Sequence, residues 1–94
     1  MGLIRYKIVV TGTVQGVGFR YATKKQAKAL GIKGYVKNTY DGNVEIEAEA
    51  DESKLQLFIK WCHIGPPMAN VKMVNTSVIN TTKGYTNFDI KASF

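Results

Sequence analysis

Residues Ile32 to Ala50, IKGYVKNTYDGNVEIEAEA, decide the fold. Ile32 to Lys37 reads as one strand and Val44 to Ala50 as the next, joined by NTYDGN. Asp41-Gly42 between two alternating runs is a hairpin signal, because glycine accepts the positive φ that tight strand connections demand. Two strands joined this closely run antiparallel; a parallel pair needs a long crossover. The acidic residues Glu45, Glu47 and Glu49 recur at every second position of the later strand and therefore share one face.

Working outward, Leu3 to Thr11 (LIRYKIVVT) sets Ile4, Tyr6, Ile8 and Val10 against Arg5 and Lys7, a strand with one buried face. A glycine-rich loop follows. Phe19, Ala22, Ala27 and Leu30 then fall at helical spacing, and Gly31 stands where a helix stops. On the other side of the hairpin, Ser53 with Gln56 three residues on has the form of a capping box. It opens a helix with the apolar stripe Leu55, Phe58, Ile59, Cys62, ended by Gly65-Pro66-Pro67. Val71 to Ile79 reads as a fourth strand, and Phe88 to Ala92 as a short fifth after a turn at Gly84. The order is β-α-β-β-α-β with an added strand. This is the split βαβ arrangement of an α+β protein, with two helices on one face of a mostly antiparallel sheet of four to five strands. That architecture hosts many unrelated activities, so function must come from a site.

The 94 residues are expected to form one domain, 1–94, and 45% hydrophobic with 21% charged residues is the composition of a folded chain. No apolar run approaches the ~20 residues that span a bilayer. The start MGLIRYKIVV lacks a signal-peptide pattern, and Tyr6 stands where a myristoylation motif has Ser or Thr. The only cysteine, Cys62, excludes an internal disulfide, so the cytoplasm is the expected compartment. A net charge of +6 favours anionic partners without separating nucleic acid from a small metabolite. Lys24, Lys25 and Lys28 on the first helix read as a solvated face.

The loop is Gly12 to Arg20, GTVQGVGFR. Its glycines let backbone N–H groups turn toward a common point, a helix N-terminus adds a positive dipole end, and Arg20 adds a two-pronged cation. The arrangement reads as a phosphate seat; the plain structural alternative is a tight strand-to-helix turn with an exposed arginine. A cation in a first helical turn is disfavoured by ~0.3–1 kcal/mol, a cost better explained if an anion binds beside it. Familiar phosphate motifs fail here. Gly18 is followed by Phe19-Arg20 and not by Lys-Ser/Thr, so the nucleotide P-loop does not fit. A dinucleotide fingerprint starting at Gly16 and Gly18 meets Tyr21 at its third glycine, and the hairpin denies it a parallel unit. Cysteine-dependent phosphatases carry Cys-x-x-x-x-x-Arg, and counting back from Arg20 reaches Val14. With no Cys, Ser or His in attacking position, direct attack by water is the expected chemistry. Cys62 belongs to an apolar stripe, and His63 sits at a helix C-terminus where it offsets the dipole. No cluster has metal-ligand spacing. Asn38, judged by its residues alone, is a turn residue beside Asp-Gly.

GTVQGVGFR, then GYVKNTYDGNVE at Gly34 to Glu45 and GPPMANV at Gly65 to Val71, closely resembles the acylphosphatase family over nearly the whole chain. The resemblance implies a ferredoxin-like sandwich and hydrolysis of the carboxyl–phosphate anhydride of acyl phosphates, with no metal or cofactor; a monomer is expected. It implies that Arg20 binds the phosphoryl group and that the backbone of Gln15, Gly16, Val17, Gly18, Phe19 and Arg20 forms the cradle. It assigns Asn38 to the orientation of the attacking water. Inorganic phosphate is then product and inhibitor. Tyr35, Lys37 and Ala50 depart from the residues common in the family, which bears on packing and turn geometry more than on Arg20 and Asn38. Thr39 and Asp41 read as hairpin architecture, and Tyr35, Tyr40 and Trp61 as packing or loop-shaping aromatics.

Two other readings compete. RNA-recognition domains share this strand order, but they place stacking aromatics on the first and third strands, and NVEIEAEA is acidic and has none. No nucleic-acid or membrane partner is therefore expected. A regulatory domain that binds a small anion without turnover is the other, and an activity assay separates it.

Overall fold

The computed structural model describes residues 2–92. Seven elements follow one another: β1 (Ile4–Thr13), α1 (Phe19–Leu30), β2 (Lys33–Asn38), β3 (Val44–Ala50), α2 (Glu52–Cys62), β4 (Asn70–Ile79) and β5 (Phe88–Ile90). They form a five-stranded sheet in the order β4-β1-β3-β2-β5. β3 pairs antiparallel with both β1 and β2, β4 antiparallel with β1, and β5 parallel with β2. The expected order is therefore present, with β5 as the added strand.

Alternation decides which face the helices cover. Tyr6, Ile8 and Val10 of β1, Val36 of β2, and Val44, Ile46, Ala48 and Ala50 of β3 are buried in one cluster with Phe19, Ala27, Leu55, Phe58 and Cys62 from the helices. Phe58 meets Phe88 edge-on and stacks near Trp61, which in turn tilts against Phe19. Each fully buried phenylalanine here stabilises the fold by about 1.5–3 kcal/mol. The α1 stripe is Phe19, Thr23, Ala27, and Thr23 is tolerated inside because its hydroxyl donates to the Phe19 carbonyl at 2.7 Å.

One local expectation is corrected. The capping box does not form at Ser53 and Gln56. Asp51 is the cap: its carboxylate accepts from Lys54 N–H at 3.0 Å and from the Ser53 hydroxyl at 2.9 Å. A carboxylate outcompetes a neutral hydroxyl at the positive end of a helix, which moves the start two residues earlier. The glutamates that share one face of β3 are all partnered. Tyr35 donates to Glu45 at 2.6 Å and Tyr85 to Glu47 at 2.6 Å. Glu49 is enclosed by the backbone N–H groups of Lys83, Gly84 and Tyr85. Lys7 and Lys37 pair with Glu45, and Arg5 with Glu47. The polar face is thus a ladder of paired charges, and the segment before β5 is fastened to its Glu47 and Glu49. Of the positions that depart from the family pattern, Tyr35 and Lys37 take part in that ladder and Ala50 is buried.

Topology sets the location of the site. β1 and β2 both run opposite to β3, so they run the same way, and β5 runs with β2. The C-terminal ends of these three strands therefore open on one edge of the sandwich. Helix α1 starts there because it follows β1, so its N-terminus faces the end of β2.

Candidate active site

At that edge lies a pocket of about 230 Å³ lined by Val14, Gly16, Gly18, Phe19, Arg20, Tyr21, Asn38 and Ile90. The loop, the end of β2 and the end of β5 each contribute a wall. Sequence separation between Arg20 and Asn38 is bridged entirely by the strand order.

The loop has the geometry of an anion seat. Gly16 and Gly18 have φ of 74° and 79°, the left-handed region that side chains rarely adopt. Gly18 is the N-cap of α1 and supplies no side-chain cap, and the first turn has no acidic residue. The Ala22 amide, in the first turn of α1, bonds back to Gly18 O at 3.1 Å. Among the described residues, no turn or cap bond is donated by a backbone N–H from Gln15 to Tyr21. A helix start without a cap leaves several donors without intramolecular partners, and an anion is what satisfies them. Arg20 stands at the second position of the helix, and no carboxylate of the described residues pairs with it.

Asn38 is the last residue of β2, paired with Val44, and it lies outside the turn. The turn is built without its side chain: Thr39 N–H donates to Asn43 O at 3.0 Å, and Gly42 N–H to Thr39 O at 3.2 Å. The Thr39 hydroxyl bonds the Asp41 carboxylate and Asn43, which fits the expected hairpin role of Thr39 and Asp41. The Asn38 Oδ1 is buried and has no hydrogen-bond partner. An orphaned buried acceptor costs about 1–3 kcal/mol. At a pocket wall, it is explained by a ligand or water that supplies the missing donor. An amide can accept a proton from water with one end and donate to phosphate with the other, and it does not titrate near neutrality.

Gln15 has a role that the backbone reading missed. Its side-chain Nε2 donates to Thr39 O at 2.8 Å and to Asn43 O at 2.8 Å. It fastens the loop to the hairpin next to Asn38. Nothing in the sequence marks this, since the partners are carbonyls and every residue has one. Val14, at the position a phosphatase cysteine would hold, is buried. Tyr21 and Ile90 were also not singled out; they are 70% and 40% exposed and form the outer, apolar rim.

Other candidates fall elsewhere. Cys62 is fully buried, and burial pushes its thiol up to about 12. His63 caps the C-terminus of α2, its Nδ1 3.0 Å from Ile59 O. No helix among the described residues is long and apolar enough to cross a membrane, and no cluster of three His, Cys, Asp or Glu is placed to hold a metal.

A family model described as Acylphosphatase matches residues 6–90. The acylphosphatase of Thermotoga maritima is 55% identical over 86 residues, covering 90% of this chain and 93% of that relative. That of Anaeromyxobacter dehalogenans is 39% identical over 88 residues, covering 94% and 95%. Among solved structures, acylphosphatase from Bacillus subtilis superposes with a TM-score of 0.92 at 39% identity, over 94% of this chain and 98% of that one.

Proposed function

The chain belongs to the acylphosphatase family, and from that premise we propose that it hydrolyses acyl phosphates by direct attack of water on phosphorus. One observation carries the mechanism: Arg20, the two left-handed glycines and Asn38, whose buried Oδ1 has no partner, line the same pocket. The Arg20 fork and the N–H groups of Gln15 to Arg20 hold the phosphoryl oxygens. Asn38 takes a hydrogen bond from the attacking water and directs its lone pair at phosphorus. The P–O bond to the acyl group breaks as the new P–O bond forms. An acyl phosphate dianion and water give a carboxylate and dihydrogen phosphate, both water protons ending on the phosphate.

A carboxylate is a good leaving group and needs little help from a general acid. Positioning and charge stabilisation then supply most of the catalysis, as in phosphoryl transfer generally. The loop carries no Cys, Ser or His for a phosphoenzyme, with Val14 where a phosphatase cysteine would stand. A monomer is the proposed state. The buried free thiol of Cys62 suits a reducing compartment, and the cytoplasm is the proposed setting.

Acetyl phosphate hydrolysis in ¹⁸O-water with excess EDTA tests the proposal. Turnover is expected to persist, with the label in phosphate and competitive inhibition by inorganic phosphate. Label in acetate, or no turnover by folded protein, would refute it.

A further inference from the structure

Helix α1 carries cations that the phosphate seat does not use. Lys24, Lys25 and Lys28 line a surface depression of about 260 Å³ together with Tyr21. Tyr21 is also a wall of the active-site pocket, so the two hollows adjoin through one side chain. Helical spacing explains the grouping, since residues three, four and seven beyond Tyr21 share its face.

These lysines differ from the cations of the sheet. Arg5, Lys7 and Lys37 each have a glutamate oxygen at 3.7–3.8 Å. Among the described residues no carboxylate pairs with Lys24, Lys25 or Lys28, and the first turn of α1 contains no acid. Glu45, Glu47 and Glu49 are occupied on the far face of the sheet. Part of the net charge of +6 therefore stands uncompensated beside the site.

We infer that this depression is a subsite for the acyl side of the substrate, selecting acyl groups that carry a second anionic group, a carboxylate or a phosphate. The inference rests on acyl-phosphate hydrolysis in the adjoining pocket. Lys24 lies one turn beyond Arg20, about 6 Å along the helix axis. With the phosphoryl group held at Arg20, a short acyl chain ending in an anion lies along the Tyr21 ring and reaches Lys24, and a longer one reaches Lys28. Charge-assisted contacts of this kind are available to an anionic acyl group and not to a neutral one.

The test compares kcat/KM for succinyl phosphate, whose acyl group ends in a carboxylate, with that for butyryl phosphate, which is neutral there. A third substrate, 3-phosphonopropanoyl phosphate, replaces the carboxylate by a phosphonate. At low ionic strength the wild type is expected to favour succinyl over butyryl phosphate by about fivefold, the scale of one good exposed ion pair. The ratio should fall toward one in K24Q/K25Q/K28Q and in high salt. A larger ratio for the phosphonate assigns the subsite to a second phosphate; a smaller one assigns it to a carboxylate. A wild-type ratio near one overturns the subsite, as does a ratio the triple variant leaves unchanged. So does an equal loss for all substrates, which is the mark of long-range steering of the shared phosphoryl group. Butyryl phosphate turnover in these cases leaves the hydrolase reading standing, whereas absence of turnover for every substrate removes both. Circular dichroism of the triple variant checks folding.

Discussion

Gln15 is tied to Thr39: its side-chain amide donates to the Thr39 carbonyl at 2.8 Å, and also to that of Asn43 at 2.8 Å. One side chain thereby fixes the distance between the loop that holds the phosphoryl group and the strand end that carries Asn38. Displacement of reacting groups by about 1 Å costs on the order of 10² in rate.

Gln15→Ala is therefore expected to lower kcat for acetyl phosphate by about ten- to a hundredfold. The inhibition constant of inorganic phosphate should change far less, because the cradle N–H groups remain. Gln15→Glu should be worse than Gln15→Ala, since a carboxylate cannot donate to two carbonyls. Unchanged kcat in Gln15→Ala would reduce the link to a purely structural tie.

Arg20→Lys should weaken phosphate binding by about tenfold or more, because a point charge does not reproduce the two-pronged fork. Competitive inhibition by inorganic phosphate measures this directly. An unchanged constant would remove Arg20 from the seat.

Asn38→Ala should lose activity while gaining stability. Rates should fall by about 10²–10³, the scale of removing one essential polar group. The same change removes a buried oxygen with no partner, so stability is expected to hold or rise by about 1 kcal/mol. Thermal unfolding and acetyl phosphate assays on one preparation check both halves. Wild-type rates in this variant would refute the role in water positioning.

Gly65→Ala should destabilise the fold by about 1–3 kcal/mol. Gly65 has a φ of 68°, and an added Cβ would lie 2.7 Å from Cε2 of Phe19 and 3.3 Å from Cβ of Ala69. Phe19 is the first residue of α1, directly before Arg20. Urea unfolding should show the loss, and activity should fall with it. A variant as stable as the wild type would mean that this turn relaxes freely.

Stability should decline in alkali. Burial raises the Cys62 thiol from 9.0 to about 12, and burial followed by the bond to a glutamate raises the phenols of Tyr35 and Tyr85 above 10.0. Each group keeps its proton longer folded than unfolded, so above pH 9 the unfolded chain releases protons first. The contribution of Cys62 is whole below pH 9 and is lost toward pH 12, at up to ~1.4 kcal/mol per pH unit. Urea midpoints between pH 8 and 11 should fall, and less steeply in Cys62→Ala. Identical slopes in the two proteins would refute the contribution of the buried thiol.

The sheet, both helices and the hairpin were legible because periodicity is local. Ile4, Tyr6, Ile8 and Val10 alternate, Leu55, Phe58 and Cys62 recur at helical spacing, and each pattern is satisfied by burial of one face. Thr23 escaped because a polar residue breaks the apolar stripe, although its hydroxyl is satisfied within its own helix. The Ser-x-x-Gln pattern at Ser53 is a clear written signal, whereas a lone aspartate such as Asp51 carries none of its own. The electrostatics of the helix end decided otherwise.

The sequence by itself determined the order of strands and helices along the chain, the glycine loop and the absence of Cys, Ser or His within it, since each depends on neighbours along the chain. Only the tertiary structure brought Asn38 to the loop, left its Oδ1 without a partner, tied Gln15 to Thr39 and set Lys24, Lys25 and Lys28 beside the pocket. Those relations join residues far apart in sequence, or depend on which acidic residues are already paired. They exist only once β1, β2 and β5 end on the same edge of one sheet.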